Sequence, residues 1–276
     1  MARQSAEPPT DDGQSAKEIV VITGGNTGIG FEVARQLLCN YGNRFYVIIG
    51  SRTLGKGHTA VAALKQQGYE AVQAVQLDVT KEASIAAAAK IIGEQFGRID
   101  VLHVNAGVLL EPTDINAKPV PFSETIMETM RTNVAGAAAT VEGFTPLLSI
   151  GSNPRVVFMT STAASAQLMH QYSSMTTAPA LSASKAAENI IMIYYYHKYP
   201  NWKVNACYPG YRDTAMMRRY NASSLSKAYR QPDPVEEGAY NAVRLSLLGK
   251  DGETGTFTEY KGVGEDGQRQ YSALPW

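Results

Sequence analysis

The stretch Thr23-Gly24-Gly25-Asn26-Thr27-Gly28-Ile29-Gly30 joins an apolar run of strand length, Glu18–Thr23, to an amphipathic helical pattern over Gly28–Cys39. Glycines at 24, 28 and 30 allow a tight turn and a close approach of backbone to a bound diphosphate. The N–H groups at the start of the helix then face that anion, backed by the positive end of the helix dipole. A glycine cluster alone is weak evidence, but one set between a strand and a helix points to a dinucleotide site. Gly24, Asn26, Thr27, Gly28, Ile29 and Gly30 are the residues expected to line it.

The same alternation continues outward along the chain. Strand-length apolar runs recur at Arg44–Gly50, Ala71–Leu77, Val101–Asn105, Arg155–Thr160, Val204–Tyr208 and Gly255–Tyr260. Helical patterns separate them at Gly57–Gln67, Lys81–Phe96, Ser123–Ser149, Ala180–Tyr199 and Pro234–Leu248. Alternation of this kind predicts βαβ units. Continuous apolar strands such as Val101–Val104 predict burial on both sheet faces. The expected fold is α/β: a single Rossmann-type doubly wound parallel sheet of about seven strands with helices on both faces.

Residues 17–276 read as one domain. Residues 1–16 are polar, rich in Ser, Asp, Glu and Pro, and lack the apolar core of a secretory signal; a disordered tail is expected there. Two segments break the rhythm, Gln167–Pro179 and Tyr211–Pro232. Both leave the carboxyl ends of strands, where open α/β sheets bind ligands, so they are expected to wall a substrate pocket. Met169, Tyr172, Tyr211 and Met216 are its expected lining, within a Met- and Tyr-rich set that also holds Met175, Met217 and Tyr220. Such a set suits a bulky hydrophobic small molecule.

The second strand ends at Gly50-Ser51-Arg52-Thr53, with Lys56 close behind. A carboxylate here would bind ribose hydroxyls; a guanidinium beside small hydroxyl residues matches a ribose phosphate instead. Ser51, Arg52 and Thr53 thus point to NADP(H) as cofactor.

Charge excludes other classes. Lys+Arg and Asp+Glu balance at 25 each, so the cationic face of a nucleic-acid binder is not expected. No run approaches the roughly 20 apolar residues of a membrane span. The expectation is a soluble, cytoplasmic protein. Cys39 and Cys207 have no metal-ligand spacing and read as buried reduced thiols, so no metal is expected.

Taken together, Thr23–Gly30, Leu77-Asp78-Val79, Asn105-Ala106-Gly107, Asn133, Ser161, Lys185 and Pro209-Gly210 resemble the short-chain dehydrogenase/reductase family from about Lys17 to the last strand. Pro234–Thr258 resembles its carbonyl-reductase-like branch. The resemblance implies that Asp78 and Val79 contact adenine and that Asn105, with Ala106 and Gly107, borders the ribose. It further implies that Pro209, Gly210 and Thr214 flank the nicotinamide. In that family a serine holds the substrate oxygen and a tyrosine donates the proton. A lysine binds ribose and lowers the tyrosine pKa, and an asparagine anchors a water chain. By motif Ser161, Lys185 and Asn133 take three of these roles. The tyrosine position is Leu181.

Leucine cannot donate a proton. Tyr194 and Lys198 repeat the tyrosine–lysine spacing about 13 residues further along the same helix, on the order of 20 Å away, and read as a decoy. Loss of a general acid costs typically about 10²–10⁴-fold in carbonyl reduction. An iminium carbon, already cationic, accepts hydride with no proton required. Certain alkaloid-pathway members of the family lack the tyrosine and reduce such intermediates. The first expectation is therefore an NADPH-dependent reductase of secondary metabolism acting on an imine, iminium or other activated acceptor. Two others stand beside it: a carbonyl reductase with a relocated donor such as Tyr172, and a non-redox NADP-binding cyclase or regulatory protein. Family members often assemble through the two long helices, so a homodimer or homotetramer is expected.

Overall fold

A computed structural model describes residues 17–111, 120–171, 178–221 and 231–276. The expected tail and Tyr172 lie outside them. The strands are β1 Glu18–Thr23, β2 Phe45–Ser51, β3 Val72–Gln76, β4 Val101–Val104, β5 Arg155–Met159, β6 Lys203–Tyr208, β7 Phe257–Val263 and β8 Arg269–Ala273. They form one sheet in the order β3-β2-β1-β4-β5-β6-β7-β8. Every pairing is parallel except β7 with β8. The strand order reverses between β1 and β4, which places the ligand crevice at their carboxyl ends.

The helices are α1 Gly28–Tyr41, α2 Leu54–Lys65, α3 Glu82–Phe96, α4 Phe122–Met130, α5 Gly136–Leu148, α6 Ala166–Gln171, α7 Pro179–Lys198, α8 Ala215–Asn221 and α9 Val235–Ser246. Side chains alternate across each strand, so β1 feeds two cores. Ile19 and Val21 join the core under α3, α5 and α7, while Val20 and Ile22 join the core under α1, α2 and α9. This is the doubly wound arrangement expected from the sequence. Among the described residues no helix is long and apolar enough to cross a membrane.

Several features depart from expectation, among them the short helices α6 and α8 in the two segments read as irregular. The sheet has eight strands, because polar, half-exposed Arg269–Ala273 adds an antiparallel edge strand with no apolar run to announce it. The single helix expected over Ser123–Ser149 is divided by a π-turn, Arg131–Ala135, between α4 and α5. One extra residue per turn leaves hydrophobic periodicity almost unchanged, and such turns cluster at functional sites. Of the two cysteines only Cys207 is buried; Cys39, near the carboxyl end of α1, is exposed.

Candidate active site

The glycine turn is built against the end of β4. Gly24 has φ +65°, and a side chain there would press on Ala106 Cα at 3.1 Å. A Cβ at Gly30 would collide with Asn105 Nδ2 at 2.5 Å. Thr23, at the head of that turn, ties this junction together. Its Oγ1 donates to His103 O (3.1 Å) and accepts from Asn105 N (2.8 Å) and Ala106 N (2.9 Å). Asn105 Nδ2 in turn donates to Thr23 O at 2.8 Å, so its amide holds two strand ends together. A cavity of ≈ 520 Å³ runs from Thr27, Gly28 and Phe31 to Thr214 and Ala215, joining the turn to the start of α8. Ser161 and Lys185 are not among the residues that line it.

At the ends of β2 and β3, Ser51 is buried and donates to Thr53 O at 2.9 Å, whereas Arg52, Thr53 and Lys56 are exposed. Val79 is buried beside Asp78. Burial pushes the Asp78 carboxyl up, but hydrogen bonds from the Thr80 hydroxyl and backbone, with the charges of Lys81 and Arg52, hold it below its ordinary value. A carboxylate and a guanidinium therefore share this corner.

Pro209 and Gly210 follow β6, and Gly210 has φ +86°. Arg212 organises this exit. It donates to Pro209 O at 2.6 Å and pairs with Glu237 at 2.7 Å, anchoring the approach to α8 onto α9. Thr214 caps α8, accepting from Met217 N at 3.2 Å.

Asn133, Ser184, Lys185 and Gly107 meet where α7 crosses the π-turn. Asn133 is fully buried; its Oδ1 accepts from Val108 N at 2.8 Å, and its Nδ2 donates to Val108 O (3.0 Å) and Ser184 Oγ (2.9 Å). The Asn133 side chain thus clamps the segment after β4. A Cβ on Gly107 would sit 3.4 Å from Asn133 Oδ1 and 3.6 Å from Lys185 Nζ. Lys185 donates to Met159 O at 2.7 Å and to Glu188 Oε2 at 2.6 Å. Glu188, which no motif singled out, is completely buried one turn further along α7. Burial pushes its carboxyl up to about 7, against the pull of the Lys185 charge.

Ser161 follows β5, half-buried, and accepts from Ala163 N at 3.1 Å as the cap of a 3₁₀ turn over Thr162–Ala164. Its hydroxyl proton is left to donate. Leu181 lies one turn before Lys185 and packs with Leu109, Ala178, Met217 and Tyr220. The leucine N–H donates to Glu111 Oε1 at 2.8 Å. Of the expected pocket residues, Tyr211 and Met169 are half-buried, but Met216 is 40% exposed, and it is its neighbour Met217 that packs against the same cluster as Leu181. The helical reason is simple: adjacent residues point about 100° apart.

Tyr194 and Lys198 lie at the far end of α7. Tyr194 is exposed, and Lys198 pairs with Glu142 at 2.9 Å. They form a surface cluster remote from the crevice, as the spacing along the helix predicted.

A family model described as short chain dehydrogenase matches residues 18–224, and the chain belongs to that family of oxidoreductases. A short-chain dehydrogenase/reductase of Aspergillus fumigatus is 35% identical over 64% of this chain and 67% of its own. Salutaridine reductase of Papaver somniferum is 28% identical over 87% of this chain and 94% of its own. The solved structure of that enzyme superposes with a TM-score of 0.72 at 26% identity, covering 87% of this chain and 99% of the other. An active-site complex of Pseudomonas aeruginosa RhlG with NADP gives a TM-score of 0.72 at 25% identity, covering 87% and 93%.

Proposed function

We propose that the chain is an NADPH-dependent reductase of secondary metabolism whose acceptor is an imine, iminium or similarly activated group. One observation carries the reading: the side chain one turn before Lys185 is leucine, set in an apolar cluster, while Lys185 itself is paired with Glu188. A centre arranged in this way holds the cofactor without a phenol to protonate a carbonyl. The similarity to salutaridine reductase supports the coarser part of the reading, a reductase of secondary metabolism.

The residues present fit NADP(H). Gly24 and Gly30 let the turn lie against Ala106 and Asn105, and a Cβ at Gly28 would reach toward Thr214 (3.6 Å). Gly28 and Thr214 both line the cavity at the α1 N-terminus, where a diphosphate would bind. Exposed Arg52 beside Ser51 and Thr53 would take the ribose phosphate, with Asp78 and Val79 flanking the adenine. Bound NADPH supplies the hydride. Lys185 has three N–H donors and spends two on Met159 and Glu188, which leaves one for ribose hydroxyls. Asn133 fixes the wall of the crevice through Val108, and Ser161 presents a hydroxyl to the acceptor. When the carbon of an iminium ion gains hydride, the C=N π pair becomes the lone pair of nitrogen. An imine reacts in its protonated form, having taken that proton from solvent, so no side chain has to supply one.

The test is consumption of NADPH by purified protein. Cyclic imines are expected to be reduced, and simple ketones to react at least about a hundredfold more slowly. Rapid ketone reduction with no turnover of imines would overturn the reading. Carbonyl reduction by a displaced donor has one observation on its side: buried Tyr220 packs in the Leu181 cluster. Under that alternative Tyr220→Phe abolishes ketone reduction.

A further inference from the structure

We propose that Glu111 is the anionic anchor of the substrate pocket and selects a ligand carrying a cationic nitrogen with an N–H, such as a protonated cyclic imine or its amine product. Glu111 lies on the segment that leaves β4 and is 6% exposed. Its Oε1 accepts the backbone N–H of Leu181, in the first turn of α7. Its Oε2 is buried and has no hydrogen-bond partner among the described residues. No ion pair joins Glu111 to another described residue.

The surroundings make that second oxygen costly. Leu109 is two residues away, and Leu181 brings with it Ala178, Met217 and Tyr220. A carboxylate only accepts hydrogen bonds, so its free oxygen can be satisfied only by a donor or a cation. Leaving a buried charged acceptor unmet is expensive, and an apolar wall worsens it. A helix cap would not require it: serine or threonine would accept the same N–H without burying a second charged oxygen. The α7 N-terminus instead holds one oxygen and orients the other.

Such a group discriminates between acceptors of equal shape. The N–H of a protonated imine would meet Oε2 in a charge-assisted hydrogen bond. A ketone would place its carbonyl oxygen against carboxylate lone pairs, an arrangement disfavoured without any steric clash. The substrate class rests on the imine reading above, but the charge preference can be measured without turnover.

The experiment is calorimetric titration of the NADP⁺-loaded protein with tetrahydroisoquinoline, cationic at neutral pH, and with isochroman, its neutral ether counterpart. The expected result is a preference of about tenfold or more for the amine. In Glu111→Gln, which keeps an acceptor for the Leu181 N–H, the preference falls to about twofold or less, with NADP⁺ affinity unchanged. Equal affinity of the two probes, absence of binding by both, or a preference retained in Glu111→Gln overturns the assignment. Should the variant not fold, the comparison of probes on the wild-type protein still decides. Turnover of dihydroisoquinoline is followed in parallel. Cation preference without turnover sinks the hydride reading and keeps Glu111, whereas turnover without cation preference does the reverse.

Discussion

The Glu188 carboxylate meets the Lys185 ammonium at 2.6 Å, at a position sealed completely from solvent. The pair is local, three residues apart on α7, yet it changes what the lysine can do. A lysine whose charge is matched by a buried carboxylate has less field to offer a neighbouring phenol, and the residue one turn before it is a leucine. Under the proposed function, cofactor holding and proton delivery are thereby separated on one helix.

The same burial makes Glu188 a source of pH-dependent stability. Desolvation raises its folded value to about 7, against Lys185. A raised value means the folded state holds the proton more tightly than the unfolded chain. The contribution is full below the unfolded value of about 4.5 and is lost as pH rises toward 7. Glu188→Gln should flatten that part of the profile, removing a change on the order of 2–3 kcal/mol. Urea denaturation of both proteins across pH 5 to 8 checks it; parallel profiles would count against the assignment.

Asn133 is expected to behave as a clamp. Asn133→Ala removes the partner of the half-buried N–H and C=O of Val108 and one partner of Ser184, at a cost of about 1–3 kcal/mol. A lower urea midpoint with unchanged slope would show this. A variant as stable as wild type would return Asn133 to a purely catalytic role.

Leu181→Tyr tests the missing acid directly. Residues four apart share a helix face, so the new phenol would stand beside Lys185. NADPH-dependent reduction of simple ketones should rise by about tenfold to a hundredfold. The gain stays below the full general-acid effect because Glu188 compensates the lysine. No gain at all would favour a donor placed elsewhere.

Arg52→Ala should weaken NADPH about tenfold to a hundredfold and leave NADH nearly unchanged, because under the proposed function the guanidinium pairs with the phosphate that distinguishes them. Fluorescence titration with each nucleotide measures the ratio. An equal loss for both would place Arg52 outside the cofactor site.

By itself the sequence determined the seven parallel strands, the glycine turn and burial on both faces of the sheet. The information is local there: β1 is apolar on both faces, and a turn with Gly24 at φ +65° must be written in glycine. It also showed Leu181 beside Lys185, since both stand on one helix. The polar edge strand β8 and the π-turn under Asn133 were hidden, because neither leaves a hydrophobic period. The two carboxylates that define the site were equally hidden. Glu188 looks like any charge on a helix until the packing of α7 on the sheet encloses it. Glu111 meets Leu181 across 70 residues of chain, a contact no spacing rule contains. Only the tertiary structure decides which charges are withdrawn from water, and withdrawal is what turns an ordinary carboxylate into a group with one unmet bond.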